Sequence, residues 1–397
     1  MASGLIHVVG GGYNQIPLVK KAKELGLRVL VTDMYENPPC KALADFYEQI
    51  DTTDKEKTFA AAQKHKIDFI ITDQTDVAVP TVAYIAENLN LPGIGYETSL
   101  KFTNKYLMRD SLKNTFQEAI PEFHFFNDSK EALEFTHSLP HPSEWLVKPI
   151  NSQGSKGVAR LEDQHFDGLI ARAFHESKTR GILIEKYISG YEYSIEAYKQ
   201  DNKVYNLALT KKYHYVSNDC IDERNTWLGD ISPELEQQLF DINTKVIEAL
   251  GLPFGITHAE YKVHKGRPYL MEIAARGGGG SISGKILPYL TGFMPIEGLI
   301  HQIIGDNQPV QFTDYKDKFA ILKFFNLKPG IVKNVIVNPD MVAQLLEYTL
   351  DLKPGDSIRP VLDSRDRPGF FIVAGTDREK VIEMEEQVES AVQIEYA

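Results

Sequence analysis

Short apolar runs alternate with amphipathic stretches over the first ninety-odd residues. Leu5 to Val9, Arg28 to Thr32 and Phe69 to Thr72 have strand length and are largely apolar, and Ile16 to Leu25 between the first two carries helical spacing. Strands covered on both faces read as near-continuous apolar runs, so this rhythm predicts a parallel sheet flanked by helices. Gly10, Gly11 and Gly12 fall at the first strand-to-helix turn, where glycine lets the backbone turn sharply and approach a ligand. Asp33 closes the second strand. The arrangement approaches the dinucleotide fingerprint, but Gln15 stands where the third glycine belongs. Two readings stay open here: a glycine turn that serves only the sheet, and an NAD-dependent oxidoreductase.

From Gly95 the pattern changes. Thr103, Asn104 and Lys105 to Lys113 read as a capped helix, and the segment after Pro121 is richer in strands and loops. The polar stretch Gly305-Asp306-Asn307-Gln308-Pro309 precedes a third region of alternating strands that ends in a helix from Asp377 to Ala391. A chain of 397 residues suits two or three packed units, here residues 1–95, 96–305 and 306–397.

The middle region carries the chemistry. Trp145-Leu146-Val147-Lys148-Pro149 is a short apolar strand that delivers a lysine, which is costly to bury unless it meets an anion. Ser152-Gln153-Gly154-Ser155-Lys156-Gly157-Val158 follows, a turn of small residues able to fold backbone N–H groups around phosphate oxygens. A plain hairpin with an exposed lysine is the competing reading. Farther on, Ile182 to Ser194 is an apolar strand with Glu185 at its edge, a turn at Gly190 and Glu192 entering another strand. Either carboxylate could accept from a hydroxyl or an exocyclic amine of a nucleoside.

His258 to Val263 and Tyr269 to Ile273, joined through Lys265-Gly266-Arg267-Pro268, read as a hairpin that makes Glu260 and Glu272 neighbours. Opposed carboxylates are destabilising without a cation between them, and hard oxygen ligands beside nucleotide phosphates suit Mg²⁺. Two glutamates on a solvated face are the alternative. Arg276 and the run Gly277 to Gly280 follow at once, an arginine fork for a carboxylate or phosphate and a backbone suited to close approach.

Composition narrows the class. Hydrophobic content of 43% and charged content of 25% are ordinary for a globular chain. The net charge of -12 is spread without a basic run, so nucleic acid and anionic membranes are not expected as partners. Cys40 and Cys220 are too few for a disulfide framework, and no segment reaches the length of a membrane span. The short run at Leu5 lacks the basic leader of a signal peptide. A cytoplasmic protein is expected.

Taken in order, these residues resemble the ATP-grasp superfamily, over roughly positions 1 to 300. The resemblance implies an α/β chain with an ATP-grasp fold, an N-terminal Rossmann-like parallel-sheet domain and a small C-terminal α+β domain. Within residues 96–305 it implies a lid of about 120–190 and a catalytic core of about 191–305. Lys105 and Lys148 are similar to the family's ATP-phosphate lysines, and Ser152, Gly154, Ser155 and Gly157 lie in what resembles its closing loop. Glu185, with the backbone of Lys186, Tyr187 and Ile188, resembles the hinge that reads adenine, and Glu192 the ribose-binding acid. Glu260 and Glu272 resemble the Mg²⁺ ligands, with Mn²⁺ as a substitute. Arg276 resembles the arginine that steadies the acyl phosphate, with Gly278, Gly279 and His258 at the substrate. His258 reads equally as a packed strand histidine. Many members carry an asparagine where this chain has Ala274, which puts a second Mg²⁺ in question.

Glu-Ile-Ala-Ala-Arg-Gly-Gly from Glu272, together with Leu352 to Asp356 and Arg367 to Phe370, resembles the bacterial L-amino-acid (dipeptide) ligases. That implies activation of a carboxylate as an acyl phosphate and its transfer to an amine, with release of ADP and phosphate. A homodimer is expected by analogy. Lys211 to Arg224 reads either as a substrate-recognition segment or as a surface loop. The rivals are the oxidoreductase above, a bicarbonate- or purine-precursor-using ligase with the same ATP residues, and a non-catalytic nucleotide sensor.

Overall fold

The computed structural model describes residues 4–162, 165–177, 179, 181–216, 218–313 and 315–397. Strands Phe46–Gln49, Arg28–Asp33, Leu5–Val9 and Phe69–Ile71 form, in that spatial order, the parallel sheet that the apolar runs foretold. Phe46–Gln49 escaped the pattern because it is an edge strand without a buried residue. Alternation decides which layer each residue meets. Ile6 and Val8 pack with Leu18, Val19 and Ala22 of helix Ile16–Glu24 and with Ile296 and Ile300 of helix Pro295–Ile303. Leu5 and Val9 face Ala62 and Ile85 from helices Lys55–His65 and Val79–Asn88.

A second sheet, Phe123–Phe126, Ile182–Lys186, Trp145–Pro149 and Ala159–Arg160, is antiparallel and carries helices Ser129–Ser138 and Phe166–Glu176 on one face. Its strand Trp145–Pro149 is buried along its whole length, so Lys148 is buried with it.

The third sheet has eight strands, in the order Arg267–Ala274, Gly255–His264, Tyr191–Gln200, Lys203–Tyr215, Asn218–Trp227, Phe319–Phe324, Gly369–Gly375 and Glu347–Leu350. Three of these strands come from beyond residue 305, so the sheet runs unbroken from the middle region into the third. The hairpin turn is tighter than the pattern suggested. Only Lys265 and Gly266 lie between the strands, both with positive φ (51° and 76°), as a two-residue hairpin turn of matching twist requires. Pro268 sits inside a strand, which is tolerated because that strand forms the sheet edge. The C-terminal region adds Ser357–Ile358, Gly330–Val337 and Val392–Tyr396 as a small sheet, and helix Arg378–Ala391, capped by Asp377. Among the described residues no helix is long and apolar enough to cross a membrane.

Candidate active site

One cavity of about 700 Å³ lies where these pieces meet, lined by Gln74 and Asp76 from the first region, Lys148 and Pro149 from the second sheet with Ser152 to Lys156 of the loop after it, and Ser364, Arg365 and Arg367 to Phe370 from the third region. Its floor is the hairpin. Glu260 and Glu272 occupy directly paired positions there, and each is neutralised by a lysine from elsewhere in the chain. Lys105 Nζ donates to Glu272 Oε1 at 2.7 Å and to the Ser152 carbonyl at 3.0 Å. It stands at the first position of helix Lys105–Leu112, whose Asn104 cap accepts from Tyr106 and Leu107 N–H. Lys212 Nζ donates to Glu260 Oε1 at 2.6 Å and lies 3.0 Å from Glu192. Burial opposes the charge on Lys212, yet Glu260 and Glu192 hold its ammonium well above the usual lysine range. Burial likewise opposes the Glu260 carboxylate, and Lys212 and His258 hold it well below the usual range.

Lys148 belongs to a buried triad. Glu185, 1% exposed, pairs with Lys148 through one oxygen and with Arg109 at 3.3 Å through the other. Burial pulls the Lys148 pKa down from 10.5 to about 8, with Glu185 working against the shift and Arg109 and Lys105 adding to it. Arg109 Nη2 also donates to the Met271 carbonyl at 2.9 Å, so the triad ties the second sheet to the hairpin beside Glu272. The Glu185 carboxylate is thus engaged by two internal cations, because it is buried between Lys148 and Arg109 at the cavity wall.

The neighbouring backbone is also partly spoken for. Lys186 N–H donates to the Glu122 carbonyl and Tyr187 N–H to the Glu144 carbonyl, each at 2.8 Å, and neither is free for adenine. The Lys186 side chain points outward to Glu144, and Tyr187 hydroxyl donates to Asp219 at 2.8 Å. Ile188 follows these at the end of the segment. Glu192 lines the cavity, and its pKa falls to about 2: burial opposes the charge, but Lys212 and His214 outweigh it. In the loop, Ser152 hydroxyl closes the turn on the Lys156 carbonyl at 2.7 Å and Ser155 hydroxyl reaches the Cys220 carbonyl at 2.6 Å. Gly154 (φ +64°) and Gly157 (φ +72°) supply backbone angles that other residues rarely adopt. Gln153 Nε2 is buried against the cavity with no partner among the described residues. Such an orphan donor suits a phosphate oxygen.

The glycine run does something other than expected at its start. A Cβ on Gly277 would sit 1.7 Å from Ser283 Oγ, and one on Gly278 would sit 2.6 Å from Glu196 Oε1. Gly277 N–H donates to Asp73 Oδ1 at 2.8 Å and Gly278 N–H to Glu196 Oε2 at 3.1 Å. Both donors are consumed by buried carboxylates, so Gly278 does not offer its N–H to a substrate. Gly279 and Gly280 do line the cavity. Arg276 lines it too, but its fork is engaged: Nε and Nη2 donate to Asp76 at 2.6 and 3.1 Å, and Nη1 to the Gly277 carbonyl at 2.9 Å. A ligand meets the remaining N–H groups of an arginine already locked in place. His258 is no mere packing residue. Its Nδ1 bonds Glu196 and its Nε2 lies 3.4 Å from Glu260; burial opposes protonation, yet Glu196 and Glu260 raise the pKa to about 9.

Asp73, Asp76, Glu196 and Arg109 were not singled out in the sequence, and Lys212 entered only as part of the segment Lys211 to Arg224. The signal for Asp73 and Asp76 was present, since they follow the last parallel strand at its carboxyl end, where open α/β sheets bind ligands. Lys211 to Arg224 proves not to be a surface loop. It forms two antiparallel strands that bring Lys212, Asp222 and Cys220 into the cavity. The dinucleotide reading also falls. Asp33 accepts from Gly11 N–H at 2.7 Å and Tyr35 N–H at 3.0 Å, and Gln15 turns inward to the Asp73 carbonyl.

The donor set fits a divalent cation. Glu260 and Glu272 provide hard oxygens at paired positions and already attract cationic side chains. Among the described residues no group of three or more His, Cys, Asp or Glu side chains is arranged to hold a metal, so such an ion would complete its shell from phosphate oxygens and water.

Comparison with known proteins agrees with this geometry. The ATP-grasp domain family matches residues 142–285, and the L-amino acid ligase C-terminal domain 2 family matches residues 323–397. The L-amino acid ligase of Bacillus licheniformis has a similar structure, with a TM-score of 0.83, 21% identity and 99% of both chains covered. Phosphoribosylamine–glycine ligase of Pyrococcus furiosus is 25% identical over 293 residues, 69% of this chain and 66% of that protein. Dapdiamide A synthase of Enterobacter agglomerans is 23% identical over 295 residues, 70% of this chain and 68% of that protein.

Proposed function

We propose, for a chain that belongs to the ATP-grasp superfamily of ATP-dependent carboxylate–amine ligases, that it joins an amino acid or similar carboxylate to an amine through an acyl phosphate. The observation that carries this reading is the convergence of Lys105, Lys148 and the Ser152 to Gly157 loop on the Glu260–Glu272 pair in one cavity. Lys105 and Lys148 neutralise the phosphate chain, and the loop amides and Gln153 hold its oxygens. Glu260 and Glu272 would hold Mg²⁺, which would neutralise phosphoryl charge as the substrate carboxylate attacks.

In the first step a carboxylate oxygen bonds the terminal phosphorus and ADP departs. In the second the amine nitrogen attacks the acyl carbon, phosphate leaves and the ammonium proton passes to water. In this reading Arg276, held by Asp76, and the N–H groups of Gly279 and Gly280, which line the same cavity, would stabilise the oxyanion of that step. Closure of the glycine loop keeps water from the acyl phosphate.

One relative is named as a ligase of phosphoribosylamine and glycine, and the match of the C-terminal region to an L-amino acid ligase domain favours amino acids over purine precursors. The test is phosphate release from ATP and Mg²⁺ across amino acids, singly and in pairs, with phosphoribosylamine–glycine and bicarbonate arms alongside. Release that requires a particular amino-acid pair supports the reading. Release only with a purine precursor or bicarbonate replaces it, and ATP binding without any release makes the protein a sensor.

A further inference from the structure

One charged group at the cavity wall has no part in the reaction above. Arg367 follows the Ser364–Asp366 turn of the third region and reaches back into the middle region. Its guanidinium lies over the Phe324 ring, 3.6 Å from the centroid. Nε donates to the Ser364 carbonyl at 3.2 Å, and Nη1 donates to Asp222 Oδ1 at 3.0 Å and to the Asp222 carbonyl at 3.3 Å. Stacking fixes the plane of the group and these bonds fix its rotation within the plane. They occupy Nε and Nη1, on opposite sides of the group, and Nη2 has no hydrogen bond among the described residues in a side chain that is 17% exposed and lines the cavity.

Its neighbours locate it. Ser364 donates N–H and hydroxyl to the Gly154 carbonyl, both at 3.2 Å, so the same turn touches the phosphate loop. Phe324, beneath the guanidinium, is also close to the glycine run, 3.8 Å from where a Gly280 Cβ would be. Arg367 therefore stands between the phosphate loop and the glycine run, at the end of the cavity where the acyl group is handed over.

A guanidinium held through two of its nitrogens, with Nη2 left over, can still receive an oxyanion. The phosphoryl oxygens already have Lys105, Lys148 and the loop. Beside Asp222 and Ser364, which Arg367 contacts, the cavity is also lined by Leu322, Phe324, Phe370 and Ile282, and this mixed lining suits the hydrocarbon of a small organic acid better than a hydrated polyphosphate. We propose that Arg367 binds the free carboxylate of the amine substrate, so that the acceptor is an amine that also carries a carboxylate. The inference rests on the ligase reading and adds a residue to it from the third region.

The test compares an acceptor amino acid with its own carboxamide, in wild type, Arg367→Gln and Arg367→Lys, following phosphate release at saturating donor. In wild type the amide should show a KM at least about tenfold above the acid, the loss expected for one charge-assisted contact. Arg367→Gln should raise the acid's KM by about the same factor, leave the amide's unchanged, and leave kcat and the KM for ATP near wild type. Should Arg367→Gln fail to fold, Arg367→Lys and the wild-type ratio carry the same comparison. Equal acid and amide kinetics in wild type, or an equal loss with both acceptors in the variants, would overturn the assignment. A raised KM for ATP would overturn it too and place Arg367 on the phosphoryl group. No amine-dependent release by wild type would instead sink the ligase reading, and this inference with it.

Discussion

Glu260 and Glu272 are paired across the hairpin, and each meets a different lysine, Lys212 at 2.6 Å and Lys105 at 2.7 Å. The two acids sit opposite one another because the pair is compensated by cations that the fold imports from separate regions. That relationship makes the site a charge-balanced receptor into which a cation and a polyanion can enter together without net cost in charge.

Glu272→Gln and Glu260→Gln should cost some stability, because Lys105 and Lys212 lose charged partners, while ATP turnover falls by roughly a hundredfold or more, the scale of losing a metal's electrostatic contribution. Phosphate release titrated with Mg²⁺ checks this. A variant that saturates at the wild-type concentration with wild-type kcat would remove the metal from these residues.

Lys148 gives a pH dependence with a definite sign. Its pKa is lowered from 10.5 to about 8, so its charge is lost as pH rises through about 8 and the KM for ATP should climb between pH 7 and 9. Stability responds in the opposite sense. The unfolded chain keeps that proton up to about 10.5, so between the two values the folded state binds fewer protons and this group's contribution to stability rises with pH. Arg in place of Lys148 should flatten the KM profile. A profile that is already flat in wild type would show that Lys148 stays charged.

Arg276 and Asp76 should behave as a buried pair. Arg276→Ala leaves the Asp76 carboxylate without its bidentate partner and should destabilise by about 3–5 kcal/mol, read from urea midpoints. Replacing both residues by neutral ones should recover part of that loss yet not the activity. Losses of the two single variants that simply sum to the loss of the double variant would mean that the pair is not coupled.

Gly154→Ala asks whether the loop must close. The substitution combines a φ of +64° with a Cβ only 2.0 Å from Ser364 Oγ, a strain of about 1–3 kcal/mol against the closed loop. ATP binding should survive while kcat falls roughly tenfold and phosphate release outruns ligated product. Unchanged coupling of phosphate to product would count against a closing loop.

Much of this was legible in the sequence because the residues lie on regular elements. The runs at Leu5, Arg28 and Phe69 are buried on both faces, and continuous apolarity marks such strands without ambiguity. The glutamate pair was legible because a short hairpin fixes register within a residue or two, although the turn proved shorter than expected. What could not be read was partnership across long separations. Arg276 and Asp76 are 200 positions apart, Glu185 finds Arg109 across 76, and Lys212 finds Glu260 across 48. Nothing in local spacing announces these contacts, so Glu185 looked like a free acceptor and Gly278 a free donor. The polar stretch at Gly305 reads as a boundary, and the spacing did not show that the next strand joins the sheet of the middle region.

The central claim is the acyl phosphate, and its most direct measurement uses a heavy-oxygen label in the carboxylate of the donor amino acid. During turnover with ATP and amine, the account predicts that one labelled oxygen appears in the released phosphate for each ligated product, and that Glu272→Gln releases none. Ligated product accompanied by unlabelled phosphate would contradict it, because the carboxylate oxygen would then never have been joined to phosphorus.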